Sequence, residues 1–494
     1  MKQLLTKCNN AVYLCILYMI SMIALGSMVS KAFFAVLLLP FVLYGIYRLF
    51  FCEIQIKKPL SYRLLWWIFF ALFVLFLFIF AYAVRVESLS WDWGKVIRSA
   101  SERVLTGNLI DKAYFARYPN NRLWYCVLVF IFYGVKALYP AAELEQFYLF
   151  SIAFGCVMVC ASILFLHHIA AMLWGEKKAF FAGIFALFCF PLMMWAPYAY
   201  TDTSGMLVLM LLLWLWIKAD NAQRHGGQIL FAALFGITAA VAYKLKVTVF
   251  IFVIAALIVL IIRRQSWKKM AIGLCLILFC FAGTGQVLEA GMQQVIDIDD
   301  ELYNQMELPL THWIMMSLKY GGYVQEDVDY TMSFPTYEEK KNANIKEIKK
   351  RLKEKGVLGC AKFFFTDKQI RTWGDATFSG CDYLSREPVN PDGFFEAFVT
   401  QEGAWNWLLL LYVSLYYGVL LAGMFLGGIA AWIGREDRQP LLAGRVTIIG
   451  IFALMMIWEC NSRYIVLFLP LMVLLSSEGY CKLRKQLYER RARG

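Results

Sequence analysis

The sequence predicts an all-α protein that crosses a membrane about 12–13 times, and three observations carry that prediction. Of 494 residues, 61% are hydrophobic and only 17% charged. The apolar residues gather into runs close to the length of a bilayer, and the basic residues stand in short groups between those runs. A water-soluble chain of this size needs far more charge on its surface, so lipid must be the solvent for most of it.

About 20 apolar residues span ~30 Å of hydrocarbon as a helix. Such runs lie at residues 11–29, 32–52, 64–85, 146–173, 179–197, 203–218, 228–243, 246–262, 270–288, 405–433, 442–458 and 461–479, and a shorter one extends from Leu123 to Leu138. The N-terminus has two lysines and then an apolar stretch with no small-residue cleavage site, so it reads as a retained first helix.

The formal charge of +13 does not point to nucleic acid. Its bearers sit beside apolar runs: Arg48, Lys57, Lys58 and Arg63; Lys177 and Lys178; Lys218 and Arg224; Arg263, Arg264, Lys268 and Lys269; Arg435 and Arg438; and the tail from Lys482 to Arg493. This is the pattern of cytoplasmic loops. Most of the 13 cysteines lie in apolar runs, no pair has zinc-ligand spacing, and the 4 histidines are scattered. Cys360 and Cys381 alone share a large polar segment, which leaves a disulfide between them open.

Parity orders the spans. With Met1 inside, three crossings place residues 86–121 outside, and counting back from the basic tail places residues 289–404 outside as well. The loops at Lys177, Arg224 and Arg263 can all be cytoplasmic only if the run from Leu123 to Leu138 does not cross fully. It is expected to be re-entrant or a short broken hairpin buried against its neighbours. The chain therefore divides into three helices (1–85), a first outer loop (86–121), a membrane core (122–288), a large outer loop (289–404), C-terminal helices (405–479) and a basic tail (480–494).

The polar candidates cluster on the outer side. Asp92 lies between Trp91 and Trp93, rings that favour the interface, where a partly desolvated carboxylate is a stronger base. The plainer reading makes it the cap of the next helix. The run YFARYPNN offers Arg117, Tyr118, Asn120 and Asn121, and is also a strong turn. The run AYTDT places Asp202 at a membrane edge, as a functional acid or an N-cap. Asp92 and Asp202 together could serve as a base pair or hold a divalent cation such as Mg or Mn, although two acids are a weak metal signal. Lys244, Lys246 and the run ECNSRY, with Glu459, Arg463 and Tyr464, stand at further outer ends, suited to a lipid-linked phosphate or to snorkelling. His312, in THWIMMSLKYGGY, reads as a packed residue before it reads as a catalyst, and the charged stretch Glu338 to Lys355 reads as a solvated helix. No nucleotide-binding or serine-hydrolase motif occurs in a fitting context.

An acid in the first outer loop, a second in a Thr-Asp turn, a lysine after the next helix and an Arg-Tyr near the last span together resemble the GT-C superfamily of polyprenyl-phosphate-sugar-dependent glycosyltransferases. The YFARYPNN and THWIMMSLKYGGY runs resemble the branch of glycosyltransferase family 39 and the protein mannosyltransferases found in Gram-positive bacteria. The likeness extends from about Val86 to Pro470. It implies a GT-C-type helical bundle in the bacterial cytoplasmic membrane with two extracytoplasmic loops, and inverting transfer on the outer face. The donor would be a polyprenyl-phosphate-linked sugar and the acceptor a hydroxyl of a glycan, lipid or protein. Asp92 would be the first-loop acid and Asp202 the second, while Arg117, Lys244 or Lys246, and Arg463 would contact the donor phosphate. Asn120, Asn121, Tyr118, His312, Glu459 and Tyr464 are the expected substrate neighbours. Many relatives carry Asp-Glu where this chain has Asp92-Trp93, and the first two spans look like an addition. A lipid-linked oligosaccharide ligase or polymerase shares the architecture with a larger donor. A transporter or flippase would instead place charges deep within spans and interrupt helices at the midplane.

Overall fold

The computed structural model describes residues 2–51, 61–87, 91–222, 224–263, 267–296, 298–434 and 440–491. Lys57, Lys58, Arg264, Arg435, Arg438 and Arg493 of the basic groups lie outside these residues. The described chain is helical throughout. Helices α1 (Lys2–Lys31), α2 (Phe33–Phe51) and α3 (Tyr62–Ala83) come first, and a polar segment with α4 (Asp92–Thr106) and α5 (Lys112–Arg117) follows. The central part contains α6 (Arg122–Leu138), α7 (Leu144–Trp174), α8 (Glu176–Leu187), α9 (Phe190–Met194), α10 (Thr201–Asn221), α11 (His225–Leu245), α12 (Val247–Arg263) and α13 (Trp267–Val295). A second polar segment carries α14 (Asp300–Met306), α15 (Leu310–Tyr320), α16 (Gln325–Met332), α17 (Tyr337–Lys362), α18 (Lys368–Trp373), α19 (Gly380–Leu384) and α20 (Glu396–Val399). Helices α21 (Asn406–Ile433), α22 (Leu442–Ile457) and α23 (Leu469–Arg491) complete the bundle.

Among the described residues, nine helices are long and apolar enough to cross a membrane, and α2, α12 and α22 contribute shorter apolar stretches. Large side chains such as Phe41, Leu72, Leu75 and Phe279 stand exposed on these helices. In lipid that exposure costs nothing, and backbone polarity becomes the constraint, met here by helical hydrogen bonds. The helices agree with the expected runs except at two places.

The run at residues 179–197 is not one helix. It breaks between α8 and α9, where Pro191 lacks the N–H that would continue the ladder. The carbonyls freed by the break find partners on α21: Tyr412 donates to Phe188 O at 2.6 Å and Tyr416 to Phe185 O at 2.8 Å. The segment after α9 lies directly on α7, because a Cβ on Gly155 would meet Ala196 O at 2.2 Å.

The second departure is α6, expected to be broken or re-entrant but in fact continuous with the turn before it over Pro119–Leu138. Trp124 stacks on Phe154 at 5.9 Å and Phe132 on Phe147 at 4.8 Å, so α6 runs antiparallel along the first turns of α7.

The two polar segments share one end of the bundle. An antiparallel bridge pairs Val86 with Pro388, with Glu87 N donating to Glu387 O at 2.8 Å and Val389 N to Arg85 O at 3.1 Å. At another helix junction α1, α22 and α23 are tied together by buried charge. Arg445, 1% exposed, donates to Glu478 at 2.7 Å and to Asn10 at 3.1 Å. Removing one partner of such a pair strands the other in a low-dielectric interior. Glu478→Leu is therefore expected to cost about 3–5 kcal/mol, and the double variant Glu478→Leu/Arg445→Met to recover most of it. Thermal unfolding of the purified variants checks this, and equal midpoints for the single and double variants would contradict it.

Helix α17 departs from a fully solvated face. Its N-terminus carries the reciprocal Thr336–Glu339 cap that the sequence encodes, but Lys340 and Asn344 are buried. Arg351 forks onto Asp327 at 2.7 and 2.8 Å. The helix thus forms the core of the second polar segment. Cys360 and Cys381 are both free thiols.

Candidate functional site

Asp92 is the first residue of α4, and the cap position belongs to Trp91, so the carboxylate is not spent on capping. It accepts instead from Tyr114 Oη at 2.8 Å. A directed chain of donors stands behind that bond: Tyr200 Oη donates to Asn121 Oδ1 at 2.8 Å, and Asn121 Nδ2 donates to Tyr114 Oη at 2.6 Å. Tyr114, Asn121 and Tyr200 are each no more than 5% exposed, while Asp92 is half-buried. Burial, and then the Asp92 charge, push the Tyr114 phenol well above its ordinary range. The phenol therefore stays protonated and holds Asp92 as an acceptor.

Asp202 lies in the first turn of α10, and again another residue caps: Thr203 Oγ1 accepts from Tyr200 N at 3.1 Å. Freed from capping, the fully buried Asp202 carboxylate pairs with Lys246 and faces Arg463, whose Nε lies 3.5 Å from Oδ2. Lys246 occupies the turn between α11 and α12, so it does not snorkel away from the protein. Arg463 donates through Nη1 to Tyr383 Oη at 2.7 Å. Its guanidinium lies 5.3–5.9 Å from the ring centroids of Trp91, Tyr200, Tyr383 and Tyr464. Yet Arg463 Nε and Asp202 Oδ2 are buried with no hydrogen bond. Buried donors normally have partners, so Arg463 Nε is positioned to donate to an incoming oxygen, while the Asp202 carboxylate, an acceptor, balances the charge of the two cations.

Glu459 and Tyr464 share this neighbourhood. They hydrogen-bond each other, and burial raises the Glu459 carboxyl while Arg463 opposes the rise. Lys368, buried beside them, donates to Trp458 O at 2.6 Å and is pushed down to about 8 by that burial. Tyr118 packs on Tyr114 with ring centroids 5.2 Å apart, and Asn120 donates to Asn121 at 3.3 Å.

Three candidates go elsewhere. Lys244 pairs with Glu289, Arg117 reaches Met306 Sδ at 3.6 Å, and His312 lies in the core beneath α17. His312 Nδ1 is 2.8 Å from Thr331 Oγ1, which donates to Asn344 at 2.9 Å, so the ring is held neutral with Nδ1 as donor. Burial lowers its pKa to about 4. Because the folded value lies below the unfolded one of about 6.5, the stabilisation is complete above pH 6.5 and is lost as pH falls toward 4, by up to about 3 kcal/mol. His312→Gln is expected to remove that part of the pH dependence of the thermal midpoint. An unchanged slope in the variant would contradict it.

The two acids do not suit a dication. Asp202 faces two cations, Asp92 serves Tyr114, and among the described residues no group of three or more His, Cys, Asp or Glu converges. Tyr114, Tyr200 and Tyr383 escaped sequence reading. Tyr200 could have been found from its place in the Thr-Asp turn, whereas nothing local marks Tyr383, which meets Arg463 across 80 residues of chain.

The model of a family described as "Conserved hypothetical integral membrane protein" matches residues 16–480. No curated protein matches the sequence. Among solved structures, ArnT from Cupriavidus metallidurans bound to undecaprenyl phosphate aligns with 12% identity over 85% of this chain and 78% of that one, with a TM-score of 0.36.

Proposed function

The chain belongs to the family of conserved hypothetical integral membrane proteins, and on that premise we propose that it is an inverting glycosyltransferase of GT-C type, using a polyprenyl-phosphate-linked sugar as donor. The observation that carries this reading is the buried Arg463 guanidinium beside Lys246 in a box of aromatic rings, its Nε facing Asp202 Oδ2 at 3.5 Å but making no hydrogen bond. Two fixed cations with an open donor suit a phosphate monoester or diester, which arginine grips through its planar fork. The basic groups, read as cytoplasmic loops, support a position for this end of the bundle on the outer face.

The chemistry follows. The acceptor hydroxyl oxygen attacks the anomeric carbon from the face opposite the phosphate, and Asp92, held by Tyr114, takes the hydroxyl proton. The bond between the anomeric carbon and the phosphate oxygen breaks, and the polyprenyl phosphate leaves with the electron pair. Lys246 and Arg463 hold the charge that develops on that oxygen. Asp202 touches neither reactant, and it positions the two cations. No step calls for a metal.

Two observations favour the transporter alternative, the break between α8 and α9 and the buried Arg445–Glu478 pair. Both are engaged by protein partners rather than left open to a cargo. The test is a transfer assay in membranes with a panel of radiolabelled polyprenyl-phosphate monosaccharides. Wild-type protein is expected to move label from at least one donor into an acceptor fraction, and label unmoved from every donor would sink the reading.

A further inference from the structure

A second polar site lies apart from the charged cluster. Between the end of α1, the start of α21 and the turn from Gly374 to Asp382 is a cavity of about 290 Å³. Its apolar lining comes from Ala24, Met28 and Leu410 and its neutral polar lining from Thr377, Gln401, Asn406 and Ser414, while the charged Lys31 and Asp382, the latter paired with Arg386, are exposed at its edge. Tyr417, 2% exposed, also lines it, and its buried hydroxyl has no hydrogen-bond partner. A buried phenol of this kind ordinarily finds a partner, so the cavity holds an unanswered polar group.

The Asp375 carboxylate on the cavity wall is engaged by local bonds. Asp375 accepts from Thr377 N at 2.9 Å, Thr377 Oγ1 at 2.7 Å and Ser379 N at 2.7 Å. These bonds hold Phe378 and Ser379 at positive φ (51° and 62°), a conformation costly for side-chain-bearing residues. The tightened turn is tied to α1, because Ser27 Oγ donates to Gly374 O. It is tied to the segment before α23 as well, because Ser379 Oγ lies 2.6 Å from Ser462 Oγ. One wall of the cavity thus leads through Tyr383 to Arg463, while its other wall is α1.

We infer that this cavity is an accessory binding subsite for a neutral, hydroxyl-rich ligand the size of one sugar ring, separated from the Asp202–Arg463 cluster by the turn at residues 375–383. Hydroxyls and amides set among apolar contacts match the edges and faces of a sugar ring. The volume sits at the lower limit of the ~300–1,000 Å³ usual for small-ligand sites. The assignment rests on the transferase reading only in identifying the ligand with one unit of an acceptor glycan.

Saturation-transfer NMR tests it, on the full chain in nanodiscs free of alkyl-glycoside detergent. The probes are methyl glucoside, methyl mannoside and methyl N-acetylglucosaminide, with glycerol as a comparison. Wild-type protein is expected to transfer saturation to at least one glycoside and not to glycerol. Tyr417→Phe should weaken that binding about fivefold, the worth of one hydrogen bond, and Ala24→Trp, which fills the cavity, should abolish it. Tyr417→Phe removes a single oxygen and keeps the fold, so the test stands even if Ala24→Trp fails to fold. Absence of transfer to every glycoside, equal transfer to glycerol, or binding unchanged in Tyr417→Phe would overturn the proposal. Loss of lipid-donor chemistry with glycoside binding intact would instead sink the transferase reading and leave the cavity standing.

Discussion

Asp202→Asn is expected to lower sugar transfer by about 10²–10³-fold, the loss typical when one electrostatic stabiliser is removed. Asparagine keeps the size of the side chain but takes away the counter-charge that holds Lys246 and faces Arg463. Two buried cations then repel each other, so stability falls too, and a loss of activity alone would not isolate the role. The double variant Asp202→Asn/Lys246→Met separates the effects: with one cation gone, the thermal midpoint should largely recover, whereas transfer should not. Recovery of both would mean that Asp202 matters only for folding. Full activity in the single variant would mean that the cations need no anchor.

Asp92→Asn is expected to lower kcat by about 10²–10⁴-fold, the usual contribution of a positioned base. Because Asp92 lies across the Tyr200–Asn121–Tyr114 chain from the phosphate-facing cations, the donor KM should stay within about threefold, a smaller change than losing one hydrogen bond produces. Tyr114→Phe removes the donor that orients the carboxylate and should give a smaller fall in kcat. A raised donor KM with unchanged kcat in Asp92→Asn would move Asp92 from proton transfer to binding. Steady-state kinetics with one identified donor reads both parameters.

Much of the bundle was legible because a membrane span is a local property of composition. The thirteen expected runs failed only where local composition does not decide. At residues 179–197 a single proline breaks an otherwise apolar stretch, and the break is tolerated because Tyr412 and Tyr416 arrive from more than 200 residues away. At α6 the run was long enough to be helical, but its packing on α4 and its two ring stacks with α7 are long-range contacts that no periodicity encodes.

The site was legible as residue types and much less so as partners. Asp92, Asp202, Lys246, Arg463, Glu459 and Tyr464 were visible as polar residues at the ends of apolar runs, where charge is expensive and its retention is informative. Their grouping was not visible. Lys244 and Lys246 look equivalent in sequence, yet one turns to Glu289 and the other to Asp202, because residues two apart on a chain leaving a helix face different neighbours. Arg117 stood in the most motif-like run and points to Met306 instead. His312 is a packed, buried ring, with Thr331 as its hydrogen-bond partner and Asn344 accepting in turn from Thr331.

Lys246 and Arg463 are the proposed grip on a lipid phosphate, and equilibrium binding of polyprenyl monophosphate to purified protein in nanodiscs tests that directly. Lys246→Met and Arg463→Met are each expected to weaken binding at least about tenfold, the scale of a charge-assisted hydrogen bond. Lys244→Met, which removes a lysine two residues away that pairs with Glu289, is expected to bind as the wild type does. Equal binding by all four proteins would contradict the account.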